Sequence, residues 1–225
     1  MESQTNDQMA PPAPRPLEEA GAAGAARDAR TGAGAGARGP RLRIVVAGRP
    51  EPKPAATSWG LTWQWVVAAV VTGALAWLTY SRGGWTPILS AFDLGVHEFG
   101  HLLTFWAPPL LCSLAGSALQ VAAPLALGGY FWWRRDSLAA ILMIAWSAEN
   151  LHNVSVYLAD AQLMILPLFG DDGSGAGHDW HNILSELGWL GATDQLALVV
   201  KTGSVILFVV ALGLAALGFA RARRS

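Results

Sequence analysis

LTWQWVVAAVVTGALAWLTY, residues 61–80, carries no charged side chain over twenty consecutive positions. As a helix rising 1.5 Å per residue, such a run covers ~30 Å, the thickness of a bilayer's hydrocarbon core. A helix satisfies every backbone N–H and C=O within its own segment, so the run predicts a transmembrane helix. Trp63, Trp65, Trp77 and Tyr80 stand towards its ends, where interfacial aromatics collect.

Working towards the C-terminus, the same character recurs. Apolar runs at 86–106, 110–133, 137–167 and 196–220 are separated by Arg82-Gly83-Gly84, Ala107-Pro108-Pro109, Arg134-Arg135-Asp136 and a polar loop at 170–194. The expectation is an all-α membrane protein with about five transmembrane helices. The 137–167 run exceeds one crossing and must tilt, bend or break, with Pro167 the expected place. With five crossings, Arg82, Arg134, Arg135, Arg221, Arg223 and Arg224 share one side. The positive-inside rule makes that side cytoplasmic.

Working towards the N-terminus, the composition shifts. Residues 1–58 hold eight of the fifteen Lys and Arg, six of the sixteen Asp and Glu, and no Phe, Trp or Tyr. A stretch rich in Ala, Gly, Pro and Arg buries too little apolar surface to offset its ordering entropy, so a disordered tail is expected there. Over the whole chain 52% of residues are hydrophobic and only 14% charged, against about 25% charged in soluble domains. The net charge of −1 offers no basic surface for nucleic acid. The expected partners are the lipid bilayer and a membrane protein or peptide substrate. Cys112 is the lone cysteine; with no second thiol for a disulfide, it reads as a small buried hydrophobe.

Ionisable side chains inside a membrane are costly and mark function. Here they concentrate on the second and fourth runs. His97-Glu98-Phe99-Gly100-His101 puts two imidazoles on one helical face, four residues apart, where both can ligate one ion. Glu98 lies about 100° round the helix, placed to act as general base on water acidified by zinc. Asp93, one turn before His97, is expected to accept that ligand's second ring N–H and fix its tautomer.

Catalytic zinc takes three protein ligands and an open position. His178 is the favoured third ligand, with Asp160, Asp179 and Asp172 as alternatives. Gly170, Gly173, Gly175 and Gly177 would let the loop bearing most of these fold back towards the membrane. Asn150, Asn153, Tyr157 and Asp160 form a stripe on the fourth run. Interhelical hydrogen bonding is the expected role of Asn150, Asn153 and Tyr157. Two rival readings stay open. Glu98-x-x-His101 and Glu149-x-x-His152 could hold two irons, although the other runs supply no carboxylate. Alternatively, the chain could bind metal without catalysis.

An HExxH in a membrane span resembles the site-2 protease family of intramembrane zinc metalloproteases. That family adds a distal Asp-Gly element after a proline-containing stretch. Pro167-Leu168-Phe169-Gly170-Asp171-Asp172-Gly173 is similar in spacing, with Met164 where the family has Asn. A group of bacterial membrane proteins related to that family is closer. Its pattern is similar to residues 93–101, to the segment 153–161 with Asn153 beside the site, and to His178-Asp179-Trp180. The resemblance covers roughly residues 86–190. It implies a zinc-dependent, peptidase-like membrane protein with Zn2+ as cofactor, Glu98 as catalytic base, and His97 and His101 as ligands.

Overall fold

In a computed structural model of the chain, residues 58–167 and 177–224 are described. The chain divides into two units, residues 1–46 and 47–225, and all described residues belong to the second. The expected disordered tail, Asp171 and Asp172 lie outside the described residues.

Among the described residues six α-helices follow one another: α1 (Ser58–Ser81), α2 (Leu89–Thr104), α3 (Pro109–Trp133), α4 (Ser137–Ala159), the short α5 (Asp179–Glu186) and α6 (Thr193–Ala222). A single 3-10 turn, Leu190–Ala192, leads into α6. No strand occurs among the described residues. Local chemistry sets the boundaries. Pro109 opens α3 at a position that needs no N–H donor. The Asp136 carboxylate caps α4 by accepting from the Ala139 N–H at 3.2 Å.

Three helical stretches are long and apolar enough to cross a membrane: Thr62–Ser81, Pro109–Trp133 and Leu190–Ala222. Side-chain placement agrees with a membrane protein. Large apolar residues such as Val70, Trp77, Leu111, Leu125, Val199 and Val209 face outwards, while Thr72, Thr79, Ser117, Gln120, Ser147, Asn150 and Ser204 are buried. An aqueous protein reverses that order.

The fourth run departs from expectation. α4 ends at Ala159, not near Pro167. Asp160 ends it by turning its carboxylate onto the backbone N–H groups of Ile165 (3.1 Å) and Leu166 (2.9 Å), a competition with helical bonding that Asp favours. α4 is the central helix, in contact with α1, α3, α5 and α6. Its buried face includes the small residues Ala140, Ala145, Ser147, Ala148 and Ser155, which let neighbouring backbones close in. α2 packs on α3. A Cβ on Gly100 would lie 2.5 Å from the Ala115 carbonyl oxygen, so that crossing requires glycine.

Candidate metal centre

Three elements converge on one point. His97 and His101 come from α2, and Asp179 is the first residue of α5. The Asp179 Oδ2 lies 3.0 Å from His97 Nε2 and 3.2 Å from His101 Nε2. Among the described residues, this is the one group of three metal-ligating side chains whose donor atoms lie within 4.8 Å of one another. The third element is α3, through Gly116. A Cβ there would sit 2.6 Å from His101 Nε2 and 2.7 Å from His97 Nε2. The space beside both donor atoms exists because residue 116 has no side chain.

The protonation of both rings follows from their far sides. Asn153 Nδ2 donates to the Gly84 carbonyl at 3.2 Å, which directs Asn153 Oδ1 towards Gln120 Nε2, its donor at 3.0 Å. Gln120 therefore presents Oε1 to His97 Nδ1, 3.2 Å away. Oε1 only accepts, so His97 carries its proton on Nδ1. His101 Nδ1 faces the Cys112 carbonyl oxygen at 2.8 Å and must also be the N–H. A neutral imidazole has one N–H, which leaves both Nε2 lone pairs bare. Two lone pairs and a carboxylate oxygen then meet with no hydrogen between them. That arrangement is relieved by a cation among the three atoms, or by protons on the rings or the carboxyl.

Asp179 is held from several directions. Its backbone N–H donates to the Tyr157 hydroxyl oxygen at 2.9 Å, and that hydroxyl lies 3.4 Å from Asp179 Oδ2. Trp180 Nε1 donates to Ser117 on α3 at 3.1 Å. The His181 ring donates from Nδ1 to the Ala161 carbonyl at 2.7 Å. Ile183 and Leu184 form the buried face of α5.

His178 occupies a different place from the one its ranking in the sequence suggested. It is fully buried, and its Nδ1 caps α5 by accepting from the His181 N–H at 3.2 Å. The proton is therefore on Nε2, which faces Asp160 Oδ2 at 3.4 Å. Burial lowers the pKa of His178, with Asp160 pulling it back up. Its ring packs against Tyr157, centroids 4.4 Å apart. His178 and Asp160 shape the turn before Asp179 and stand apart from the two α2 histidines.

The expected role of Asp93 also shifts. Its Oδ1 accepts from Trp146 Nε1 at 2.7 Å and from Asn150 Nδ2 at 3.2 Å. The partner of His97 Nδ1 is Gln120, which the sequence reading passed over because it is uncharged; a lone Gln in an apolar span was the available signal. Asn153 stands one bond further out, behind Gln120. Glu149 pairs with Asp93, so the two Glu-x-x-His motifs do not share a ligand group among the described residues. Glu98 is exposed on α2, and its charge acts on the Tyr157 hydroxyl.

Outer partners that fix a ligating histidine are typically worth 10–100-fold in metal affinity. For a metal ion held by His97, His101 and Asp179, Gln120→Ala would weaken binding by ~10–100-fold, with Gln120→Glu restoring part of the loss. Competition with a zinc-chelating dye measures both.

No protein family, no curated protein and no solved structure matches the chain.

Proposed function

We propose that this protein is an intramembrane zinc metalloprotease, with His97, His101 and Asp179 holding the ion and Glu98 acting as general base. The observation that carries this reading is the meeting of two imidazole Nε2 atoms and one carboxylate beside the Gly116 gap. Two nitrogens and one oxygen make a donor set that suits zinc and leave a position open. When bound, zinc supplies Lewis acidity towards a peptide carbonyl and acidifies water.

The chain's own groups do the rest. Glu98 takes a proton from water as the water oxygen joins the peptide carbonyl carbon. It returns that proton to the amide nitrogen as the C–N bond breaks. Gln120 and the Cys112 carbonyl keep each ring proton on Nδ1, and Tyr157 orients Asp179. Glu98 has no hydrogen bond or ion pair among the described residues, so nothing there competes for its lone pairs.

We read α2 and α4 as membrane-embedded too, which gives five spans. Exposed Phe92, Phe99, Leu102 and Leu103 on α2 favour contact with lipid over water. The polar groups of α4 are enclosed by α1, α3 and α6, as intramembrane polar residues require. The substrate is then a membrane protein or membrane-bound peptide, and the proposed location is a bacterial inner membrane with the arginine-bearing side cytoplasmic.

Removal and return of the metal tests this reading. Purified protein in lipid, given a fluorogenic transmembrane peptide library, is expected to lose cleavage on chelation and regain it with stoichiometric zinc. Cleavage that persists in the zinc-free protein contradicts the assignment.

A further inference from the structure

A second polar cluster lies between α2 and α4, and the metal centre makes no use of it. Asp93 is 1% exposed and Glu149 0%. Asp93 Oδ2, both Glu149 carboxyl oxygens and the Thr86 hydroxyl are buried without a conventional donor–acceptor partner. The Glu149 carboxyl lies in the same cluster, under the electrostatic influence of Asp93 and Thr86, and Trp146 and Asn150, which donate to Asp93, flank it on α4. Two ionised carboxylates have no hydrogen to share. No Lys, Arg or His forms an ion pair with either among the described residues.

Two uncompensated charges cannot be kept there. The desolvation cost is several kcal/mol per ion even after relaxation, and the pair also repels. One proton shared between the two carboxyls removes the repulsion and gives Asp93 Oδ2 a donor. Asp93 accepts from two N–H donors, Trp146 and Asn150, which favour its ionised form. Glu149 has no N–H donor among the described residues. The proton therefore belongs on Glu149. Its O–H donates to Asp93 Oδ2.

We propose that Asp93 and Glu149 form a buried acid–carboxylate pair that binds one proton and fastens α2 to α4. The surrounding helices add few other titratable groups. His152 on α4 stacks against Tyr80 of α1, centroids 4.4 Å apart, and the charge of Lys201 on α6 acts on His152. From α3, Ser117 and Gln120 face the interior, and neither titrates. No hydrogen bond or ion pair links Asp93 or Glu149 to His97, His101 or Asp179, so the pair stands independently of the zinc reading.

Infrared spectroscopy of the full chain in lipid at neutral pH tests the pair without any assay of activity. The wild type is expected to show the C=O stretch of a protonated carboxyl. That band should shift on carboxyl-13C labelling of glutamate but not of aspartate. It should vanish in Glu149→Gln and persist in Glu98→Gln. Glu149→Gln keeps an N–H donor towards Asp93 and should melt close to wild type. If that variant fails to fold, isotope labelling of the wild type still decides: a band that follows aspartate, or no band, overturns the proposal. A missing band together with stabilisation by added sodium or calcium, lost in Asp93→Asn, overturns it in favour of a metal cation.

Discussion

Glu98→Gln is expected to lower the rate of peptide hydrolysis by ~10²–10⁴-fold, the usual contribution of a positioned general base, while leaving zinc bound. The two effects separate because Glu98 stands outside the ligand group: the converging donors are His97, His101 and Asp179. Glutamine matches glutamate in shape and hydrogen-bonding reach but cannot accept a proton at neutral pH. Substrate affinity should change little, so the loss should fall on kcat. Glu98 makes no hydrogen bond or ion pair among the described residues, and glutamine keeps its shape, which makes misfolding a poor explanation for lost activity. The check is single-turnover cleavage of a reconstituted substrate, with zinc content measured on the same sample. Full activity in the variant contradicts the base assignment.

Gly116→Ala is the second substitution expected to act strongly. The new Cβ would lie 2.6–2.8 Å from atoms of the His101 ring and 2.7 Å from His97 Nε2. Ordinary contact needs about 3.4 Å or more, so both rings must give way by several tenths of an ångström. Metal–ligand distances tolerate only about 0.2 Å. The zinc affinity should therefore fall at least ~100-fold. The fold should survive. Overpacking costs roughly 1–3 kcal/mol, and replacing a helical glycine returns about 0.5–1 kcal/mol. For a chain of this size the net change corresponds to a melting temperature lower by less than about 10 °C. Zinc titration and thermal unfolding on one preparation check both parts. Unchanged affinity in Gly116→Ala would mean that the ion does not sit beside this glycine.

Much of the helical plan was readable from the chain because uncharged runs and their polar interruptions report directly on the surroundings of a helix. The residues of α2 were readable for a related reason: His97 and His101 are four apart, and helical geometry alone puts them on one face. The partners brought by other elements were harder to see. His178 and Asp179 are adjacent, and which of them turns inwards depends on where α5 begins. Asp is the commoner N-cap, but His178 takes that position and folds its ring over the first turn, leaving Asp179 to reach the α2 histidines. Gln120 and Gly116 belong to a helix whose sequence looks merely apolar, and their importance comes from the crossing of α3 with α2. Asp93 shares a face with His97, but the N–H donors of Trp146 and Asn150 compete for its carboxylate and hold it. The end of α4 was misplaced because a proline is a conspicuous helix breaker, whereas Asp160 breaks this helix through side-chain bonds to residues five and six positions on.

The central claim is that His97, His101 and Asp179 form one zinc site, and metal content tests it most directly. The full chain, purified in detergent without chelator, should carry close to one zinc per chain. Asp179→Ala should carry almost none, and Asp93→Asn, which leaves all three donors in place, should match the wild type. Wild-type protein that holds no zinc, or Asp179→Ala protein that holds as much as wild type, would contradict the account.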